Sequence, residues 1–284
     1  MKRIFILPAF LFVLAAGLSS CDGDKTNPVT YDTLRDTIIG TDISDSVKTR
    51  FKNLVSTMPV PFDILKQFSG AHLAFKSELP NDPKNAAAYN GVSEQSFILG
   101  IYGADLAYMI SQDKLSEAAP FLKAIRRLSD AVVVPSAFDA NMLKRYESNQ
   151  NTKDSMQGLV RTSYRQIDSS LQGNDRLALA SLVLTGGWLE SIYLTTQHIG
   201  DEQQNDKNKV LFDMLAVQQP YLENITALLG SFPNDILCKN LHADLEQLKK
   251  NFPDGNVPGK EFFAEVKILR DNVATLRNKY VSIQ

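Results

Sequence analysis

From Ser46 onward, apolar residues return every three to four positions, the spacing that lines one face of an α-helix, and no stretch alternates as a half-buried strand would. The pattern breaks at Pro59-Val-Pro61, Pro80-Asn-Asp-Pro83, Asn90-Gly91, Val134-Pro135, Gly173-Asn174, Gly200-Asp201, Phe232-Pro233 and Phe252-Pro-Asp-Gly255. Proline and glycine clusters of this kind punctuate helices. Asn151, with Asp154 three residues on, resembles a capping box, and Asn174-Asp175 opens the helix after Gly173. The expected fold is all-α, a multi-helix bundle.

Two segments depart from the amphipathic pattern. Phe97 to Ile110 and Leu177 to Leu194 are apolar on almost every face, each interrupted by one charge, Asp105 and Glu190 respectively. A helix that is hydrophobic all round is buried in a core or in a membrane. The first is too short to span a bilayer. In the second, Glu190, Ser191, Thr185 and the pair Gly186-Gly187 argue against lipid, where a central charge costs at least ~2.5 kcal/mol. Both are expected to be central core helices, with Gly186-Gly187 serving close helix packing.

The same two segments align with one another. At an offset of 85 residues Asp105 matches Glu190, Tyr108 matches Tyr193 and Gln112 matches Gln197. At an offset of 100, Asp113-x-Leu115 matches Asp213-x-Leu215, and Pro120-Phe121-Leu122 matches Pro220-Tyr221-Leu222. Pro120 and Pro220 read as shared mid-helix prolines, each costing about 3 kcal/mol, so the same kink in both halves is hard to ascribe to chance. The expectation is two related, pseudo-repeat helical units, about 93–173 and 174–283, preceded by short accessory helices between 46 and 89. Together they would make a single helical domain over 46–284.

The N-terminus has a different character. Lys2 and Arg3 precede an apolar run from Ile4 to Leu18, and Leu18-Ser19-Ser20-Cys21 reads as a lipobox. Residues 1–20 are thus expected to be a lipoprotein signal peptide, with Cys21 as the acylated (palmitate-bearing) first residue of the mature chain. Residues 21–45 read as a polar tether, which as random coil would reach about 25 to 30 Å. The expected location is the cell envelope, lipid-anchored at the outer membrane, facing the periplasm or the surface.

Charge and cysteine content narrow the partners. Without Lys2 and Arg3 there are 28 Lys plus Arg against 32 Asp plus Glu, which leaves no basic footprint for nucleic acid. With Cys21 acylated, Cys238 is the one remaining thiol, so stability must come from packing rather than disulfides.

Candidate chemistry centres on the aligned acids. Asp105, Tyr108 and Gln112 lie at i, i+3 and i+7, as do Glu190, Tyr193 and Gln197, so each trio shares one helical face. Two carboxylates facing each other could act as acid and base or bind a polar ligand. The competing reading is a structural acid satisfied by a tyrosine or by Arg126, Arg161 or Arg165. Trp188, beside Glu190, could line a sugar or aromatic pocket, although a lone core tryptophan more often packs. His72, His198 and His242 are far apart, and the pairs His198 with Glu202 and His242 with Glu246 lack a third ligand, so no metal site is assigned. With no nucleophile elbow, P-loop or dinucleotide fingerprint, no cofactor is assigned either.

Gly103-Ala-Asp-Leu-Ala-Tyr108, Asn149 to Asp154-Ser155 and Gly186-Gly-Trp-Leu-Glu190 carry a resemblance to uncharacterised all-helical lipoproteins of Bacteroidota-type bacteria. It covers about Met58 to Gln197 and implies fold and location, with no activity to carry over. In such bacteria acidic residues behind the lipidated cysteine favour surface export, and Asp22 and Asp24 fit that loosely, with Gly23 and Lys25 interrupting the run. The functional expectation is a non-enzymatic, membrane-anchored protein that binds a small ligand or an envelope partner. The alternative is an envelope hydrolase, on glycans, using Asp105 and Glu190 as its acid/base pair.

Overall fold

The structure, a computed structural model, describes residues 44–59, 61–65, 68, 73–132, 158, 162, 176–253 and 260–283, all within one compact unit, 41–284. The signal peptide, Cys21 with Asp22 and Asp24, His72, the capping box at Asn151, Arg161, Arg165 and the Asn174-Asp175 helix start lie outside the described residues.

Among the described residues the fold is all-α, without a strand. Helices α1 (Asp45–Thr57) and α2 (Pro61–Leu65) precede a 3-10 turn, Pro83–Ala87, and the central α3 (Val92–Ser111). A second 3-10 turn, Leu115–Glu117, leads to α4 (Ala119–Ala131). The other central helix is α5 (Leu177–Ile199), followed by α6 (Lys209–Ala216), α7 (Gln219–Leu229), α8 (Ile236–Lys249) and α9 (Lys260–Val281).

Helices α3 and α5 form the axis of the molecule, because both are apolar all round and can satisfy that only at the centre. Every residue of α3 from Ser96 to Ser111 is buried. Around them, α2 and α4 pack on α3, while α1, α6, α7 and α9 pack on α5. These outer helices are amphipathic: α9 buries Phe262, Val266, Leu269, Val273, Leu276 and Val281, a stripe of helical period. By length and composition α5 could cross a membrane, but nine-tenths of its apolar stretch is covered by the rest of the protein.

Contacts climb α3 and α5 in step, from Phe97 with Gly186, through Gly100 with Gly187, to Tyr108 with His198, so the two helices run parallel. Their closest approach is made by glycine on both sides. A Cβ on Gly100 would lie 2.1 Å from the Val183 carbonyl oxygen, and one on Gly186 would lie 2.1 Å from that of Phe97. Gly186 therefore packs backbone against backbone, as its sequence context indicated, and its counterpart across the seam is Gly100.

Both central helices run longer than their apolar stretches. α3 starts five residues before Phe97, behind Gly91, whose φ of 86° suits glycine. Its end is a Schellman-type turn with Asp113 at φ 57°, where Lys114 N–H donates to the Met109 carbonyl at 2.9 Å.

Two of the correspondences used to align the halves change here. Pro120 and Pro220 are not interior residues; each is second in its helix, where the missing N–H has no intrahelical partner to lose and no kink results. Asp113 sits in the turn after α3, whereas Asp213 lies inside α6, ion-paired to Lys209, so the two are not structurally equivalent.

Candidate functional site

The six residues of the aligned stripes, with Trp188, separate into three clusters. The first is a sealed ion cluster between α3, α5 and α9. Asp105 and Glu190 are fully buried, close enough for the charge of one to bear on the other. The arginine that meets them is none of Arg126, Arg161 and Arg165 but Arg277, from α9. Its Nε donates to Glu190 Oε2 and its Nη2 to Oε1, both at 3.0 Å, a bidentate fork suited to guanidinium geometry. Nη2 also donates to the Leu79 carbonyl at 3.3 Å, and the Tyr193 ring lies 4.6 Å from the guanidinium. Arg126, by contrast, reaches Asp130 on its own helix at 3.9 Å.

Asp105 has fewer donors. Its Oδ2 accepts from the Asn81 backbone N–H at 3.1 Å, while Oδ1 faces no donor. Burial first, and the Glu190 charge second, raise its pKa well above the carboxylate range, against the pull of Arg277. Burial pulls the Arg277 pKa down, but Glu190 and then Asp105 outweigh it and hold the guanidinium charged.

The second cluster lies where the parallel helices end together. Tyr108 Oη accepts from the Lys76 backbone N–H and meets His198 Nε2, each at 2.9 Å. Phe75 stacks on the Tyr108 ring at 5.5 Å, and Phe68 meets His198 edge-on at 4.9 Å. Burial, and then the charge of Lys76, lower the His198 pKa to about 4, so the imidazole is neutral at pH 7. Burial pushes the Tyr108 phenol up to about 12. Lys76 Nζ donates to the Gln197 carbonyl at 2.8 Å, placing a cation at the C-terminal end of α5 where the helix dipole favours one. Gln112 caps α3, with its Nε2 buried and without an acceptor.

Trp188 forms the third cluster. Its indole N–H donates to Gln218 Oε1 at 3.1 Å and its ring stacks on Phe252 at 6.3 Å. It is fully buried, which makes it a packing residue rather than a pocket wall.

None of the seven lines the cleft of about 840 Å³ that opens between the start of α3, the start of α8 and the end of α9. Phe97, Leu237 and Tyr280 give it apolar walls, and Ile236 and Ile283 stand at it 77% and 50% exposed. Ser93 Oγ donates to Asp235 Oδ2 at 2.6 Å, joining the two helix starts, and Asp235 Oδ1 caps α8 through the Cys238 N–H at 2.8 Å. Tyr89 in the cleft wall receives a hydrogen bond from Asn81 Nδ2 at 2.9 Å and donates to the Val281 carbonyl at 2.8 Å. Asn81 is also the residue that contacts Asp105, so the cleft wall and the ion cluster share one polar network.

The described histidines serve packing. His242 Nδ1 bonds the Thr226 carbonyl at 2.9 Å, and His198 belongs to the Tyr108 cluster. Among the described residues no three His, Cys, Asp or Glu side chains gather as a metal set. Burial and Asp235 hold the Cys238 thiol above its ordinary pKa, so it is an inert core thiol.

Arg277 and Lys76 escaped sequence reasoning because neither is near its partner in the chain: Arg277 lies 87 residues from Glu190, and Lys76 lies 121 from Gln197. A signal for Arg277 was available in hindsight, since it falls on the apolar stripe of α9 between Val273 and Val281. Fold and site together define the class: an all-helical protein with two parallel core helices, a sealed carboxyl pair at their crossing and an open cleft at one end. No protein-family model matches the chain, and no curated protein or solved structure matches it either.

Proposed function

We propose that the chain is a non-enzymatic binding protein of the cell envelope, held by a lipid on Cys21, which captures a ligand or partner in the cleft between α3, α8 and α9. The cleft carries the reading. It combines apolar walls with exposed Ile236 and Ile283 and a polar rim of Asn90, Asn234 and Asn240, the mixture typical of recognition sites. Large exposed apolar side chains beside a cleft mark interaction sites more often than isolated ones do.

Against the hydrolase alternative stands the burial of both acids. Glycosidase carboxyls lie about 5 to 9.5 Å apart across an open cleft that admits sugar and water. Asp105 and Glu190 are instead both fully buried, and Glu190 is occupied by Arg277.

Selection of random displayed peptides on the purified full chain tests the binding site. Enriched peptides should lose binding to Ile236→Asp; enrichment that is indifferent to this change, or no enrichment, overturns the cleft. Anchoring is tested separately by detergent phase partition, where Cys21→Ala should move the protein to the aqueous phase. Retention in the detergent phase overturns the lipid.

A further inference from the structure

Two carboxyl groups and one guanidinium make up the sealed cluster, and the hydrogen-bond count does not close without one more hydrogen. Arg277 spends Nε and Nη2 on Glu190, and Nη1 contacts Asn278 at 3.4 Å. The Asn81 N–H covers Asp105 Oδ2 only. Oδ1 of Asp105 is left with no donor although the side chain is fully buried and feels the charge of the equally buried Glu190. Two acceptors cannot hydrogen-bond each other, and a bare buried carboxylate is far too costly to persist. Two carboxylates against one arginine would also leave a net negative charge sealed in the core.

The geometry points to a buried one-proton site: Asp105 carries a proton on Oδ1 and donates it to Glu190, making the cluster of Asp105, Glu190 and Arg277 electrically neutral. Here the ligand is the proton itself, and the inference is independent of what the cleft binds.

The titratable groups facing Asp105 are few. Glu190 and Tyr193 come from α5, Arg277 from α9, Tyr89 from the loop before α3, and Tyr102 and Tyr108 from α3 itself. Burial raises the phenols of all four tyrosines, so they stay neutral and cannot donate charge to the site. On the other helices packed against α3, Asp63 of α2 is half-buried, and Lys123, Arg127 and Asp130 of α4 are exposed, with Arg126 half-buried. Arg277 is thus the cation that matters, and Glu190 already claims it.

The sign of the pH effect follows. Asp105 binds its proton more tightly when folded than when unfolded, so between about pH 4, where an unfolded aspartate ionises, and its folded pKa, the native state holds one extra proton. Stability is fully present below that window and declines as pH rises through it. One proton corresponds to about a tenfold fall in the folded-to-unfolded ratio per pH unit. Asp105→Asn keeps the shape and supplies an N–H to Glu190 permanently, so this loss should vanish.

Urea unfolding of the full chain from about pH 4 to pH 9 spans the window, and Asp105→Asn is expected to flatten the decline. An unchanged slope in the variant overturns the proposal. Should the variant fail to fold, infrared spectra of the wild type decide it. A protonated-carboxyl C=O band at pH 7 that shifts on ¹³C-aspartate labelling supports the site, and the absence of such a band overturns it.

Discussion

Replacing Gly100 by alanine probes the crossing on which the whole core is built. The added Cβ would stand 2.1 Å from the Val183 carbonyl oxygen and 2.7 Å from the Gly187 nitrogen, against 3.4 Å or more for an ordinary contact. Both obstructing atoms are backbone, so no rotamer change relieves them and the helices must separate. A gap of roughly 1 Å along the seam forfeits a quarter to a half of each dispersion well across it. Overpacking of this kind costs up to about 3 kcal/mol, while alanine recovers about 1 kcal/mol over glycine in a helix interior. The net expectation is a loss of about 2 kcal/mol, which at about 2 to 3 kcal/mol per molar urea lowers the unfolding midpoint by about 0.7 to 1 M. Trp188, the single tryptophan and fully buried on α5, reports the transition by fluorescence, and far-UV circular dichroism checks that helix and core unfold together. Gly186→Ala should behave alike, because its Cβ meets the Phe97 carbonyl oxygen at 2.1 Å. The double variant should lose less than the sum, since the first substitution already opens the seam. A Gly100→Ala midpoint equal to or above the wild type would refute the reasoning, for it would mean that helix propensity outweighs the close approach.

Other perturbations test the polar clusters. Arg277→Met leaves Glu190 as an uncompensated buried carboxylate and should destabilise by about 3 to 5 kcal/mol in denaturant titration, with part of the loss recovered by adding Glu190→Gln. A loss below about 1 kcal/mol would show that the pair is not sealed. His198, with its pKa lowered from 6.5 to about 4 by burial and then Lys76, binds its proton more readily when unfolded. Its contribution is therefore present above about pH 6.5 and lost as pH falls towards 4, the opposite sense to Asp105. His198→Gln should shallow the acid limb of stability against pH, and an identical limb in both proteins would exclude His198 as its source.

Much of the helical frame was readable in order along the chain, since helices arise from local spacing and local stop signals. The breaks at Asn90-Gly91, Gly200-Asp201 and Phe232-Pro233 fall between elements, and that at Pro80 to Pro83 ends on the first residue of a 3-10 turn. Burial of the two all-apolar helices was legible too, because nothing but a core accommodates them. Proline positions were harder. Whether Pro120 and Pro220 sit inside a helix or at its second residue turns on a boundary a few residues away, which propensity defines poorly.

What the sequence by itself determined is therefore the all-helical class, the identity of the central helices and the fact that the apolar stretch of each carries one acid. What only the tertiary structure decided is what those acids meet. Charge pairing in a core depends on where distant segments dock, and no local pattern ties Glu190 to Arg277 or Asp105 to the Asn81 backbone. The cleft belongs to the same class of fact: its walls come from the starts of α3 and α8 and the end of α9. Segments remote in sequence become neighbours only when the apolar stripes of the outer helices have closed around the glycine crossing.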